Sequence, residues 1–292
     1  MSNELTDYND SPISGAYKHY LIGKVLSSRP EAEQLLDSIR TSVAELSPSL
    51  WLIMSSSSNS ERKENYLVQY VLPIAEIVGW PSYKDSKMLV DGLSLQFCWQ
   101  VCWRYLDNLL DSKSRDDHEV ESVIAMLYDT CTLHSRILHS YSISDSGIAK
   151  TALVETCRLV SLERTGKLGV AEIWRRARLL EIVPINFFQI SSCQLEPFRR
   201  YITADGLAHD VHDLIDDVSK GFITTPISWL NSLNADNAFR ADIMKKWFAI
   251  ASEQVLDSVF AAEDVLSDRH RILQLLLNEI REIGISLSDF AR

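Results

Sequence analysis

The sequence contains few of the residues that interrupt or cross-link a chain. Only 10 Gly and 8 Pro are spread over 292 residues, so long stretches run without a turn signal. The cysteines number five, at positions 98, 102, 131, 157 and 193, and no two of them form a C-x-x-C pair. An odd number without such pairs argues against a disulfide framework and predicts buried free thiols in a reducing compartment.

Positive charge and long apolar runs are scarce as well. The formal net charge is -11, which leaves no electrostatic footprint for a nucleic-acid partner. No apolar run approaches the roughly 20 residues that cross a bilayer. The first 14 residues are polar and acidic, unlike a secretory signal or an Arg-rich transit peptide. We therefore expect a cytoplasmic protein with no membrane span and no nucleic-acid partner.

The apolar residues recur with a helical period over most of the chain. Hydrophobic residues make up 46% of the sequence, and no alternating strand pattern, internal repeat or interdomain linker is visible. A first helix is predicted to begin at Pro30, and Pro184 is predicted to kink a later one. Further helices are predicted over residues 65–78, 86–110, 119–139, 148–162, 169–189, 197–218, 241–262 and 268–283. The expected fold is one all-α domain over residues 1–292, with residues 1–29 as a partly flexible N-terminal segment.

The predicted helix over residues 86–110 ends in an acidic motif, D-N-L-L-D at residues 107–111. Asp107 and Asp111 lie one turn apart on the same face. Trp99 and Trp103 precede them at steps of four, so that indoles are followed by carboxylates. Such a stripe suits the wall of a cavity that is apolar inside and charged at its mouth. The alternative interpretation is an ordinary core with two solvated carboxylates at a helix end.

A second acidic motif, D-L-I-D-D at residues 213–217, follows 106 residues after the first. Asp213, Asp216 and Asp217 share a helix face, and Lys220 stands one turn further on. Neighbouring carboxylates repel each other unless a cation compensates them, and hard divalent cations prefer oxygen ligands. Two such faces across a cavity could hold several cations and, through them, a diphosphate. A solvated acidic helix end is again the alternative.

Both motifs resemble those of a known superfamily. Residues 201–218 resemble the second Asp-rich helix of trans-prenyl diphosphate synthases, although Leu214 stands where that family has an aspartate. The second motif is also similar to the D-x-x-E-D stretch of squalene and phytoene synthases. Residues 107–111 resemble the D-D-x-x-D motif of prenyl synthases and many terpene cyclases, with Asn108 in place of one aspartate. Over roughly residues 85–230 the chain thus resembles the class I isoprenoid synthases.

The resemblance implies an all-α bundle around a central cavity, and a homodimer is possible. It also implies that Mg²⁺ binds an allylic prenyl diphosphate, whose C–O bond ionises to a carbocation and pyrophosphate. The implied metal ligands are Asp107, Asn108, Asp111, Asp213, Asp216 and Asp217. The implied diphosphate ligands are Arg175, Arg176, Arg178 and Lys220, with Trp99 and Trp103 lining the pocket. Asp107, Asp111, Asp213, Asp217 and Arg178 are the expected catalytic residues.

Two features favour one reaction within this superfamily. Chain-elongating synthases carry a G-K-x-x-R-P segment for a second diphosphate, and residues 61–73 lack that pattern. Cys102 and Trp103, just before the first motif, would narrow the pocket floor. The sequence therefore favours an Mg²⁺-dependent terpene synthase, a carbon–oxygen lyase that cyclises or quenches one C10–C15 substrate. Prenyl transfer, head-to-head condensation and a non-catalytic helical partner subunit remain alternatives.

Overall fold

A computed structural model describes residues 22–55, 60–111, 117–164, 178–212, 249, 252–261, 263–264 and 266–291. These ranges contain α-helices, two π-helical segments, turns and a short 3₁₀ stretch, and they contain no β-strand. The predicted all-α class is therefore confirmed for the described part of the chain. None of the helices in these ranges combines the length and the apolar character that a membrane span needs.

Eleven helical segments are numbered here in chain order within the described ranges. They are α1 (residues 22–28), α2 (Glu31–Leu46), α3 (Pro48–Met54), α4 (Ser60–Tyr66), α5 (Leu72–Ile77), α6 (Ser86–Asp111), α7 (Asp117–Ser140), α8 (Ile148–Arg164), α9 (Ser192–His212), α10 (residues 252–261) and α11 (Arg271–Ala291). The first π-helical segment is Leu67–Val71 and the second is Val183–Phe187. Helix α1 lies within residues 1–29, the segment that was predicted to be partly flexible. The buried Arg29 follows this helix.

The start of α9 differs from its prediction. The helix begins at Ser192 and contains Pro197, which was predicted to open it. Ser191 precedes the helix, and its Oγ accepts a hydrogen bond from the Gln194 backbone N–H at 3.3 Å. A serine in that place satisfies one of the free N–H groups of the first turn, so it marks the start better than the proline does. Similarly, α11 begins at Arg271, and α3 was not predicted at all.

Two prolines explain the π-helical segments. Pro184 lies inside the second segment and has no N–H to bond to the carbonyl of Leu180, four residues earlier. Gln96 on α6 supplies the missing donor, with Nε2 at 3.0 Å from the Leu180 oxygen. The kink predicted at Pro184 thus takes the form of a widened turn. Pro73 stands just after the first segment, which divides the helix predicted over residues 65–78.

A single hydrophobic cluster of buried residues extends from Val25 to Ile280. Within it, α6 packs against both α2 and α7, while α11 packs against α5 and α9. The position of α6 at the centre explains why its middle is buried on all sides. The first acidic motif therefore stands at the end of a core helix rather than on a peripheral one.

The cysteines are free, as predicted, but they are not all buried. Cys98 and Cys102 are buried in α6, and burial raises the pKa of the Cys102 thiol to about 12. Cys157 and Cys193 are exposed, so the prediction of buried thiols is wrong for these two. Both stand on the outer faces of α8 and α9, which a count of cysteines does not reveal.

A buried carboxylate on α5 connects that helix to the first turn of α11. Glu76 on α5 accepts hydrogen bonds from the backbone N–H groups of Ile272, at 2.9 Å, and Leu273, at 3.1 Å, in the first turn of α11. Arg29 donates to the same carboxylate at 3.3 Å. Burial raises the pKa of Glu76, while these hydrogen bonds and the charge of Arg29 oppose that rise. The first turn of α11 is therefore capped by a residue 196 positions earlier.

Gly92 and Gly23 make a matched pair for testing the packing of α6. A Cβ atom on Gly92 would lie 2.3 Å from Cζ of Phe188 and 2.5 Å from Cε1 of Phe187, whereas a Cβ on Gly23 in α1 meets nothing within 4 Å. We expect Gly92→Ala to lower the free energy of unfolding by about 1–3 kcal/mol, because overpacking outweighs the helix propensity of alanine. Gly23→Ala should instead raise it by up to about 1 kcal/mol. Urea denaturation measures both, and equal effects of the two substitutions would contradict the close contact at Gly92.

Candidate functional site

The helix with the first acidic motif and the helix that leads into the second run in the same direction. Gly92 near the start of α6 lies against Phe187 and Phe188, just before α9 begins. Twelve residues further along α6, Arg104 acts electrostatically on Tyr70, which donates a hydrogen bond to Asp205 on α9. Each helix has by then advanced about 18–20 Å at 1.5 Å per residue. The C-terminal ends of α6 and α9 therefore lie at the same end of the bundle.

A polar cluster joins these helices near that end, and we call it the tyrosine–carboxylate cluster: Tyr66, Tyr70, Arg104, Asp107 and Asp205. Tyr70 Oη donates to Asp205 Oδ2 at 2.8 Å, and Arg104 Nη1 donates to Asp107 Oδ2 at 3.2 Å. The ring centroids of Tyr66 and Tyr70 are 6.2 Å apart. The Asp107 side chain is 13% exposed, and Asp205 is 8% exposed. The cluster thus brings Asp107 of the first acidic motif close to Asp205 on α9, the helix that precedes the second motif in the sequence.

Both tyrosines of the cluster are held in the protonated form. Burial raises the pKa of Tyr66 and Tyr70, and for Tyr70 the charge of Asp205 raises the pKa further. Arg104 acts in the opposite direction on both phenols. Because a phenol with a raised pKa keeps its proton near neutral pH, Tyr70 serves as a hydrogen-bond donor to Asp205.

A line of aromatic rings leads from the cluster into the core. The Tyr70 and Tyr201 ring centroids are 6.4 Å apart, and those of Tyr201 and Phe198 are 6.2 Å apart. Tyr201 and Phe198 are buried. We call Tyr66, Tyr70, Tyr201 and Phe198 the aromatic line. From Tyr201 to Phe198 it runs along α9 towards the N-terminus of that helix. Sequence analysis missed it, although Asp205 follows Tyr201 at the helical spacing of four that singled out the other motifs.

The two predicted pocket indoles lie at different angles from Asp107 around α6. Trp99 is fully buried, and its Nε1 donates to Nδ1 of His134 on α7 at 3.3 Å. Successive steps of four drift by about 40° each around an α-helix, so Trp99 and Asp107 are about 80° apart. Trp103 is 9% exposed, between these two positions. The predicted role of both indoles as a pocket wall remains a prediction.

His134 connects Trp99 on α6 with Asn186 in the second π-helical segment. Its Nδ1 accepts the indole N–H of Trp99, and its Nε2 lies 3.1 Å from Nδ2 of Asn186. Burial lowers the pKa of His134 below its ordinary value of 6.5, while Asp145 opposes that shift. The imidazole is therefore neutral and structural in the folded protein.

The lowered pKa of His134 predicts a pH dependence of stability. Below about pH 6.5 the unfolded chain binds a proton at this position while the folded chain does not. The free energy of unfolding should therefore decrease as the pH is lowered, until the pKa of the folded state is reached. We expect His134→Gln to remove this contribution. Urea denaturation of both proteins at pH 7.5 and 5.5 measures it. Parallel losses in the two proteins would assign the pH dependence to other groups.

Arg178, a predicted diphosphate ligand, lies in an ion-pair network. Its Nη1 is 3.5 Å from Glu155 Oε2, and its Nε is 3.7 Å from Glu181 Oε2. Leu180 contacts Gln96, and the chain then runs antiparallel to α6 towards Gly92. Arg178 thus lies beside the middle of α6, about 15 Å along the axis from Asp107. Its role as a diphosphate ligand remains a prediction that would require a change of partners.

The donor atoms at the end of α6 suit a hard cation. Asp107 and the exposed Asn108 supply oxygen atoms on the last turn, which Asp111 ends. The side chain of Asp111 lies outside the described residues, as do Arg175, Arg176, Asp213, Asp216, Asp217 and Lys220. Among the side chains that the structure describes, no group of three or more His, Cys, Asp or Glu could hold a metal ion. The complete ligand set therefore remains a prediction.

No protein-family model and no curated protein matches this sequence. The function is therefore inferred from the direction of α6 and α9, and from the charges and aromatic rings between them.

Proposed function

We propose that the chain is a class I isoprenoid synthase, specifically a terpene synthase that ionises a C10–C15 allylic diphosphate and cyclises or quenches the carbocation. The observation that carries the proposal is the hydrogen bond from Tyr70 to Asp205 on α9, close to the Arg104–Asp107 pair at the end of α6. The first acidic motif ends α6 and the second follows α9 in the sequence, so carboxylates from both motifs could bind one set of cations.

Six residues would hold the metal: Asp107, Asn108, Asp111, Asp213, Asp216 and Asp217. Their carboxylate and amide oxygens are the ligands that Mg²⁺ prefers. When bound, Mg²⁺ would stabilise the negative charge that develops on the diphosphate as the C–O bond breaks.

Arg104 is the cationic side chain of the described residues that lies best for the diphosphate. It pairs with Asp107 and also interacts with Tyr66, on which Arg62 acts as well. When Asp107 turns to bind a cation, Arg104 would exchange its carboxylate partner for a diphosphate oxygen, which its planar guanidinium can contact with two N–H groups. Lys220, Arg175, Arg176 and Arg178 are the further diphosphate ligands that the resemblance implies.

The aromatic line would receive the hydrocarbon end of the substrate. Ring faces attract a positive charge, and buried side chains exclude the water that would otherwise quench the carbocation early. Tyr201 and Phe198, both buried, meet this requirement along α9. The line would thus supply an apolar and cation-stabilising surface in addition to Trp99 and Trp103, the pocket residues that the resemblance implies.

The experiment that tests the proposal is incubation of the purified protein with Mg²⁺ and geranyl, farnesyl or geranylgeranyl diphosphate. Each is supplied alone and with isopentenyl diphosphate, and pyrophosphate release and extractable products are measured. We expect release from geranyl or farnesyl diphosphate alone, with a hydrocarbon or alcohol product. Release only in the presence of isopentenyl diphosphate would favour prenyl transfer, and a coupled product of two identical substrates would favour condensation. No release in any mixture would favour a non-catalytic partner subunit.

A further inference from the structure

Asp205 is a buried carboxylate at a position that neither acidic motif requires. It is 8% exposed and accepts the hydrogen bond of Tyr70 at 2.8 Å. Desolvation of a buried carboxylate costs roughly several kcal/mol, and an apolar residue of similar size would avoid that cost. The hydrogen bond from Tyr70 offsets part of this cost and fixes the orientation of the carboxylate.

The position of Asp205 relates it to the site of the proposed reaction. It lies on α9, eight residues before Asp213 in the sequence. Its partner Tyr70 belongs to the aromatic line and is flanked there by Tyr66 and Tyr201. If the diphosphate bound beside Asp107 and the hydrocarbon tail of the substrate lay along the aromatic line, the tail would pass the Tyr70 hydroxyl.

We propose that Tyr70 and Asp205 form the proton-accepting pair that ends the carbocation reaction, an inference that depends on the proposed function. A C–H bond next to the cationic carbon breaks, and its electron pair forms a C=C bond. The proton passes to Tyr70 Oη as the hydroxyl proton of Tyr70 passes to Asp205 Oδ2. Cation and carboxylate thereby become a neutral olefin and a carboxylic acid.

The phenol alone is a weak base, and the carboxylate makes it an adequate one. Burial and the charge of Asp205 raise the pKa of Tyr70, so the hydroxyl keeps its proton until another proton reaches the oxygen. The hydrogen bond to Asp205 already points that proton at its acceptor. The proton acceptor is therefore already within hydrogen-bonding distance, which is the first requirement of a general base.

A second tyrosine–aspartate pair in the same protein provides a matched control. Tyr141 Oη donates to Asp91 Oδ2 at 2.7 Å, a geometry close to that of Tyr70 and Asp205. Asp91 stands near the start of α6, sixteen residues and about 24 Å from Asp107, at the opposite end of the helix. Substitutions in this pair remove the same groups without approaching the aromatic line.

The first test measures binding without metal or turnover. The probes are a farnesyl-length tertiary ammonium ion, which resembles a carbocation, and the neutral hydrocarbon of the same shape. We expect Asp205→Asn to weaken binding of the ammonium ion at least about tenfold and to leave the hydrocarbon unaffected, because one buried negative charge is lost. Asp91→Asn should change neither. Equal ammonium affinity in wild type and Asp205→Asn would overturn the inference.

The second test follows the products of the substrate that the protein accepts. Tyr70→Phe keeps the ring and removes the hydroxyl that would accept the proton. The ratio of olefin to alcohol should fall at least about tenfold, because water then competes with a slower proton transfer. Tyr141→Phe should leave the ratio unchanged. An unchanged ratio in Tyr70→Phe, or a wild-type product that is entirely alcohol, would contradict the inference.

The two proposals fail in different ways. If the wild-type protein releases no pyrophosphate from any allylic diphosphate, the proposed function and the proton-accepting pair both fail. If pyrophosphate is released while product ratio and ammonium affinity are unaffected by Tyr70→Phe and Asp205→Asn, only the pair fails. Thermal melting shows whether each variant is folded. If Asp205→Asn does not fold, the more conservative Tyr70→Phe tests the proton-accepting pair by itself.

Discussion

Asp107→Ala is expected to lower Mg²⁺-dependent pyrophosphate release by at least about 100-fold, the usual effect of removing a group that stabilises developing charge. Asp107 lies at the C-terminal end of α6, its side chain is 13% exposed, and it is paired with Arg104. Its loss would remove a proposed metal ligand and would leave Arg104 without the carboxylate with which it pairs. The measurement is initial-rate pyrophosphate release with the best allylic substrate over a range of Mg²⁺ concentrations.

The matched control for this prediction is Asp117→Ala. Asp117 is an exposed aspartate at the first residue of α7, close to Asp107 in sequence but outside the tyrosine–carboxylate cluster. A carboxylate there acts on the helix terminus, so its removal should change the rate by less than about twofold. If Asp107→Ala released pyrophosphate at the wild-type rate, the first acidic motif would have no part in the reaction.

Glu76→Ala is expected to lower the free energy of unfolding by about 3–5 kcal/mol. The substitution leaves the N–H groups of Ile272 and Leu273 without their acceptor at the buried start of α11. It also leaves Arg29, itself only 8% exposed, without its buried carboxylate partner. Chemical denaturation with matched slopes for the two proteins is the measurement.

Glu31 is the natural control for Glu76, because it is the other carboxylate of Arg29. Its oxygen lies 2.9 Å from Arg29 Nη1, but its side chain is 45% exposed. An exposed pair contributes little, so Glu31→Ala should cost no more than about 0.5–1 kcal/mol. Comparable losses in Glu31→Ala and Glu76→Ala would mean that burial of the Glu76 carboxylate, and its bonds to α11, add nothing to stability.

The structure also bears on why Asp107 and Arg104 are paired. A carboxylate that awaits cations repels its neighbours until the cations arrive, and a nearby guanidinium compensates it in the meantime. Arg104, three residues before Asp107 on the same helix, fulfils that role in the described structure. Under the proposed function, the same arginine would contact the diphosphate once metal bound the aspartates, so one side chain would serve the protein with and without substrate.

Local patterns predicted the long helices well. The 3.6-residue apolar period placed α6, α7 and α8 to within two residues at most of the ends that were predicted. It failed where a local signal was ambiguous: Pro197 was taken for the start of α9, and the cap at Ser191 was overlooked. The π-helical turns were not predicted as such, because they depend on which neighbour satisfies a carbonyl that a proline has left free, as Gln96 does for Leu180.

The sequence by itself determined the helical class and placed the first acidic motif at the end of a long core helix, because helix periodicity and motif spacing are properties of neighbouring residues. Only the tertiary structure decided that α6 and α9 run to the same end, that Tyr70 donates to Asp205 across 135 positions, and that Glu76 caps α11 across 196. Such contacts depend on how whole helices pack, and a buried polar group finds its partner wherever packing brings one within hydrogen-bonding distance.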